Sequence, residues 1–480
     1  MSLKAVFFDM GGTIDRYGFT PEMRREKTQG INERLLSAGI DLGLDNEELY
    51  QIVSTGLKNY HQWSLISMEE LPSQRVWADY ILAGFPVDQS RLSPISEDMM
   101  CYIETQLYHR EMRPEIPEVL TAIHKMGLKI GIISNVNSRG QVPQNLSEYN
   151  IEHFFDAVIL SSEYGRRKPD PSIFHHAARL AKAPTSACLH VGDRISRDIL
   201  GAQKAGFGCT VQIQHDFNQG EEDKGAEPDY VIDDMREILS IIEKKMEKNR
   251  KPKSVDEAQP PAVRAILFDA GDILYHRPNR NVQLIKFLEE QGINFNDFNY
   301  EEENKLLKEK SFRGQITRDE YLETKIRFFG ITDPILIEHG KEVLGEAKDD
   351  VDFYEGVPQT LITLKEKGYL LGIVTDTANT VHAKLQWFER GGFNHVWDSI
   401  ISSKEIGCRK PEPEIYLASL EQLGVSVEEA IFVGHKISEL DGARSVGLKT
   451  VAFNYDKGAE ADYYLEYFSD LLKVPLLLEN

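Results

Sequence analysis

Asp9, Ser134, Lys168 and Asp193 each stand beyond a short apolar run, at Val6–Phe8, Lys129–Ile133, Ala157–Leu160 and Ala187–Val191 respectively. A carboxylate beyond a hydrophobic strand can act as a nucleophile and split a displacement into two steps through a covalent intermediate. A second carboxylate nearby raises its pKa unless a cation lies between them. Mg²⁺ suits that place, because it takes one or two carboxylates, a carbonyl, waters and substrate phosphate. Ser134 and the backbone amides after Gly11 can hold phosphate oxygens, and Lys168 can balance the charge on substrate and on Asp9.

These groups meet only if the runs are parallel strands. Helix-like stretches separate them, among them Ile116–Met126, Ser172–Lys182 and Asp198–Ala205, and a fifth apolar run lies at Thr210–Gln212. Apolar strands alternating with helices predict βαβ units and a parallel sheet covered on both faces. Ligands of such sheets sit at the carboxyl ends of the strands, so the four points converge on one crevice. From about Asp15 to Pro114 the periodicity is almost wholly helical, which predicts a separate cap over the sheet edge.

The chain writes this plan twice. FFDAVILSSEYGRRKPDPSIF recurs as VWDSIISSKEIGCRKPEPEIY, and DKGAEPDY as DKGAEADY. Asp156 and Asp398, Gly165 and Gly407, Lys168 and Lys410, and Gly192 and Gly434 are each 242 residues apart. Asp9 and Asp269 are 260 apart but Ser134 and Thr375 only 241, so the second copy lacks 19 residues between its first two motifs. Its strands are expected at Ala265–Phe268, Leu370–Val374, Ser399–Ile401, Ile431–Val433 and Thr450–Phe453. The expected domains are 1–246 (core 1–15 and 115–246, cap 16–114) and 263–480 (core 263–276 and 353–480, cap 277–352). Between them, 247–262 is rich in charge and proline, which marks a linker.

At 480 residues the chain exceeds one ordinary core. Its net charge of −22 argues against a nucleic-acid partner, which requires clustered Lys and Arg. A small phosphorylated molecule needs only local positive charge and stays open. Four cysteines without C-x-x-C spacing signal neither a zinc site nor a disulfide framework. MSLKAVFFDMGG has no apolar leader, and no run approaches 18 apolar residues. A cytoplasmic protein with no membrane partner is expected.

Asp9-Met10-Gly11-Gly12-Thr13, Ser134-Asn135, Lys168-Pro169-Asp170-Pro171 and Gly192-Asp193 with Asp198 resemble the four motifs of the haloacid dehalogenase-like (HAD) hydrolase superfamily. The helical insertion resembles the C1 cap of its subfamily I. The resemblance covers nearly the whole chain, twice, and implies two tandem Rossmannoid α/β domains, each capped after its first strand. It implies Asp9 as nucleophile, with Ser134 and Lys168 placing the phosphoryl group. Asp193 would bind Mg²⁺ with Asp9 and the Gly11 carbonyl, supported by Asp198. Gly12, Thr13, Asn135 and Arg167 complete the expected substrate contacts; Arg167 is included because Arg409 repeats it.

One departure matters. Phosphatases of this superfamily usually carry a second aspartate two residues after the nucleophile, as general acid and base, and here that position is Gly11. Such a proton donor is typically worth roughly 10²–10⁴-fold in rate. Dehalogenase relatives commonly have tyrosine there, which Gly11 does not match. Asp15 is read as a solvated or capping carboxylate rather than a substitute.

The second copy keeps Asp269, Thr375 and Lys410, but has Gly271, and Ile273 for Thr13. His435 replaces Asp193, and Glu439 aligns with Asp198 after a one-residue deletion. Imidazole suits zinc or other transition metals better than Mg²⁺, and a protonated His435 would itself put positive charge near Asp269. This copy is expected to have lost catalysis and to survive as a structural or binding partner. Two functions follow: a Mg²⁺-dependent hydrolase of a small phosphorylated substrate in the first copy, or a non-catalytic protein binding a phosphorylated ligand or partner. Arg166 is expected to be solvated, and Arg24, Arg25, Tyr60, His61 and Trp63 to serve cap packing or surface. The prolines of KPDP and KPEP are expected at helix starts, where no hydrogen bond is lost.

Overall fold

The computed structural model describes residues 2–214, 223–247, 263–278, 281–346 and 351–478. It divides into two compact units, Met1–Lys253 and Ser254–Asn480. Nearly all of the expected linker lies outside the described residues.

The strands of the first unit are β1 (Ala5–Phe8), β2 (Asp15–Gly18), β3 (His109–Met112), β4 (Lys129–Ser134), β5 (Ala157–Leu160), β6 (Cys188–Gly192), β7 (Cys209–Ile213) and β8 (Tyr230–Ile232). Six form one parallel sheet in the order β5-β4-β1-β6-β7-β8. β1, at its centre, reads AVFF with every side chain buried, as a strand covered on both faces must. Val6 and Phe8 pack with Val119, Leu120 and Ile123 of helix Ile116–Lys125 on one face. Ala5 and Phe7 pack with Ile173, Phe174 and Ala177 of helix Pro171–Leu180 on the other. β8 was not expected; it is only three residues, Tyr-Val-Ile, at the sheet edge, with Val231 half exposed.

The cap contains helices Pro21–Ser37, Asn46–Ser67 and Gln89–Gln106 around its own core, which includes Tyr60, Trp77 and Met99. Asp45 and Glu48 close a capping box at the second of these. The cap is not wholly helical. Its two connections to the sheet, β2 and β3, lie antiparallel, with Asp15 opposite Met112 and Gly18 opposite His109. DRYG and HREM are polar and short, so neither announces a strand; they pair because the chain leaves and returns side by side.

The second unit repeats the plan with β9 (Ala265–Phe268), β10 (Tyr275–His276), β11 (Asp352–Phe353), β12 (Leu370–Thr375), β13 (Ser399–Ser402), β14 (Ala430–Gly434), β15 (Lys449–Phe453) and β16 (Tyr463–Leu465). Its parallel sheet has the order β13-β12-β9-β14-β15-β16, and β10 and β11 make the ribbon. Its cap consists of helices Val282–Glu290, Tyr300–Phe312, Arg318–Arg327 and Pro334–Glu346. Repeated residues do repeated work. Asp229 and Asp462, from the two DKGAExDY segments, each accept from a strand threonine amide at 2.8 Å, Thr210 and Thr450. The prolines divide their roles: Pro171 and Pro413 begin helices, whereas Lys168–Pro169 and Lys410–Pro411 are cis peptide bonds.

Candidate active site

The carboxyl ends of β1, β4 and β6 bring the first-copy residues together. Asp9 leaves β1 with its amide bonded to the Val191 carbonyl at 2.9 Å. Lys168 Nζ donates to Asp9 Oδ1 at 2.7 Å, to Asp198 Oδ1 at 2.5 Å and to the Ile133 carbonyl at 2.7 Å. All three ammonium protons are thus engaged. Asn135 holds this lysine by its backbone: Oδ1 accepts from Lys168 N at 2.8 Å, and Nδ2 donates to Lys168 O at 3.0 Å. Asn135, expected at the substrate, is therefore a positioning residue. Ser134 is buried at the end of β4.

Two glycines make the crevice compact. Gly12 has φ +85°, and a Cβ there would overlap Asp193 Oδ2. A Cβ at Gly192 would overlap the Asp198 carboxyl. Asp198 sits in the turn Ile195–Ile199, a single π turn opening the expected helix Asp198–Ala205, whose α-helical part is Leu200–Lys204. Burial opposes its charge, but Lys168 and His190 hold the Asp198 carboxyl well below the usual range. For Asp193, burial and then the charges of Asp9 and Asp198 push the carboxyl up to about 7. Thr13 is fully buried, and among the described residues its hydroxyl has no hydrogen-bond partner.

Several neighbours escaped the sequence reading. His190 Nε2 lies 3.1 Å from Asp198 Oδ1, inside β6; a histidine within a buried strand was the signal. Arg194 lies 3.7 Å from Asp193, and the charges of Asp198, Asp193 and Asp9 bear on Arg197. The ring of Tyr17, on β2, packs 3.2 Å from where a Cβ of Gly11 would stand. Burial and the Asp193 charge raise the Tyr17 hydroxyl pKa.

Other expectations are corrected. Asp15 is neither solvated nor a helix cap: its buried carboxylate accepts from Arg110 and from Tyr149, both at 3.1 Å. Arg166 is mostly buried and pairs with Glu69 and Asp170, both at 3.0 Å. Arg167 is turned to the cap rather than to a substrate anion. Its guanidinium pairs with buried Glu70 and donates to Asn137 Oδ1 at 3.1 Å. Glu70 also accepts from Tyr60 and from Ser161, the latter at 2.6 Å. A second buried cap carboxylate, Glu104, accepts from the amides of Asn137 and Ser138 at 2.8 and 2.9 Å. Of the other cap residues, Arg24 stacks 3.2 Å over Phe19, Arg25 pairs with Glu47 at 2.8 Å, and Tyr60 stacks on Trp63.

Asp9, Asp193 and Asp198 offer carboxylate oxygens within 4.8 Å of one another. An all-oxygen set of that size fits a hard divalent cation. In the second copy Asp269, His435 and Glu439 come equally close, but the donors are mixed. Lys410 Nζ pairs with Asp269 and lies 3.3 Å from Glu439, and His435 Nδ1 stands 3.3 Å from Asp269. Despite burial, Lys410 and His435 hold the Asp269 carboxyl well below its usual range. Thr375 ends β12, and Asp376 accepts from Lys410 N at 3.1 Å, as Asn135 does from Lys168. Lys410 has its counterpart in Lys168, so the difference between the two sites is His435, whose imidazole stands in place of the Asp193 carboxylate and suits Mg²⁺ poorly.

Comparison with known proteins places this geometry. Residues 3–206 and 292–453 each match the haloacid dehalogenase-like hydrolase family. A glyceraldehyde 3-phosphate phosphatase of Methanopyrus kandleri is 28% identical over 242 residues, 50% of this chain and 97% of the relative. One from Methanothermobacter thermautotrophicus is 28% identical over 244 residues, 50% of this chain and 100% of the relative. A phosphoglycolate phosphatase of Vibrio cholerae is 33% identical over 132 residues, 27% of this chain and 56% of the relative. Among solved structures, a 2-haloacid dehalogenase from Pseudomonas syringae matches with 20% identity, 50% and 99% coverage and TM-score 0.38. With both halves matched and both sheets built alike, the chain belongs to the HAD-like hydrolase superfamily as a tandem member.

Proposed function

We propose that the N-terminal unit hydrolyses small phosphate monoesters through an aspartyl-phosphate on Asp9, and that the C-terminal unit is non-catalytic. The observation carrying the first part is Asp9 at the end of β1, 2.7 Å from the Lys168 ammonium and clustered with Asp193 and Asp198. An Asp9 oxygen attacks phosphorus and the ester oxygen departs, taking up a proton. Water then cleaves the acyl phosphate, releasing inorganic phosphate and restoring Asp9. Lys168 offsets charge on Asp9 and the phosphoryl group, and Asn135 keeps it in place. Mg²⁺ bound by Asp9, Asp193 and the Gly11 carbonyl, with Asp198 behind them, would neutralise charge between the carboxylates and the phosphate. Tyr17 is our candidate proton donor, since its ring faces Gly11 and its hydroxyl stays protonated at neutral pH. The relatives named as glyceraldehyde 3-phosphate and phosphoglycolate phosphatases favour a phosphorylated two- or three-carbon compound. Among the described residues no helix is long and apolar enough to cross a membrane.

The non-catalytic reading of the second unit rests on His435, 3.3 Å from Asp269, in the place of the Asp193 carboxylate; Lys410 is shared with the first unit as Lys168. The test is turnover of p-nitrophenyl phosphate and 2-phosphoglycolate by the full chain with Mg²⁺, against Asp9→Asn. Equal rates for the two proteins would end the proposal for the first unit.

A further inference from the structure

Beneath the cap of the second unit lies a cavity of about 370 Å³. Although the chain carries a net charge of −22, this wall is basic. Lys308, Arg318 and Lys325 reach it from the cap helices, and Arg277, Lys384 and Arg409 from the core side.

Four carboxylates line the cavity as well, Asp269, Asp272, Asp376 and Glu439, each within 4.0 Å of a basic side chain. Asp269 pairs with Lys410, Glu439 with Lys436 at 3.1 Å, and Asp376 lies 3.5 Å from Arg409. Among the described residues, no carboxylate lies within 4.0 Å of the Lys325 or Lys384 ammonium. Lys384 is buried and donates to the Tyr275 hydroxyl at 2.8 Å. Burial, then Lys308, Arg277 and Arg318, bring the Lys325 ammonium down to about 8. Burial, with Lys410 and Arg277, brings Lys384 down to about 7. Like charges crowded round a cavity repel one another, and an anion placed between them relieves that repulsion.

The cavity has two polar ends. At the floor, where the strands end, are Thr375, Gly271, Lys436 and Asp269, the last paired with buried Lys410 behind it. At the roof are the cap cations, with Tyr300 and Tyr321 beside them. We propose that the C-terminal unit binds, without a metal ion, a small organic anion bearing two phosphate or carboxylate groups, one at each end of this cavity. At the floor, Lys410 offsets the charge of Asp269 from behind and Lys436 lines the cavity, so positive charge is present there without a divalent cation. The binding is independent of turnover in the first unit, since it requires neither Asp9 nor Mg²⁺.

Isothermal titration of the full chain in excess EDTA tests this, with inorganic pyrophosphate and inorganic phosphate as probes. Pyrophosphate is expected to bind once per chain, at least ~10-fold more tightly than phosphate. Lys325→Gln and Arg318→Gln, at partly exposed positions, are each expected to weaken pyrophosphate binding at least ~10-fold. Circular dichroism melts verify that the variants are folded. Absence of pyrophosphate binding in EDTA overturns the proposal. So does wild-type affinity in the folded Lys325→Gln, Arg318→Gln double variant.

Discussion

The Tyr17 ring lies against Gly11, with Cε1 3.2 Å from the place a Cβ there would take. The position that lacks an acid is thus covered by the phenol of a residue six further along, on the ribbon leading into the cap. Tyr17→Phe keeps the packing and removes the hydroxyl. We expect it to lower kcat at least ~10²-fold on alkyl phosphates, where the leaving group needs a proton, and much less on p-nitrophenyl phosphate. Equal losses on both substrates would assign Tyr17 to packing. Gly11→Asp alone meets the ring, so turnover should rise only when it is combined with Tyr17→Ala.

Gly12 is constrained both by its φ of +85° and by Asp193 pressed against it. Gly12→Ala should displace Asp193 and cost ~10²-fold in kcat, the usual penalty for moving a site group by about 1 Å. Mg²⁺ affinity, read by calorimetry, should fall in parallel. An unchanged affinity would show that Asp193 does not hold the cation.

The core of each unit was legible because a strand buried on both faces must be apolar throughout, as AVFF and AILF are. The motif residues were legible because they follow those strands. The ribbon was not: DRYG and HREM lie far apart in sequence, are mostly polar, and gain strand character only from each other. Arg166 read as solvated and Arg167 as an anion contact because their partners Glu69 and Glu70 sit in the cap, almost 100 residues earlier. Tyr17 was missed for the same reason, since its closeness to Gly11 comes from the turn between them.

Arg167 and Glu70 are both buried, so removing one leaves the other charge uncompensated. Arg167→Met should cost roughly 3–5 kcal/mol in the unfolding of the first unit, followed by urea titration. A loss under about 1 kcal/mol, the range of exposed pairs, would mean that water reaches the site.

Asp193 gives the metal-free protein an inverted pH dependence. Its folded pKa, about 7, lies above the unfolded value, so the native state holds the extra proton between pH 4 and 7. This group's contribution is therefore complete at low pH and is lost as pH rises toward 7. Thermal melts in EDTA at pH 5, 6 and 8 should show wild type losing stability relative to Asp193→Asn. Mg²⁺ should restore it at pH 8 by binding the native state. Parallel curves for the two proteins would contradict the shift.

For the second unit, Asp269→Asn should leave phosphatase turnover of the full chain within twofold of wild type, whereas Asp9→Asn abolishes it. A comparable loss in both would show two working sites.

The ribbon of β2 and β3 carries a mechanical consequence. Gly12 N bonds to Asp15 O at 2.7 Å, and buried Arg113, just past β3, donates to Gly12 O at 2.9 Å. Both strands that tether the cap are thereby fastened to the loop carrying Asp9. Any tilt of the cap that turned this ribbon would, through these two bonds, pull on the loop that carries Asp9.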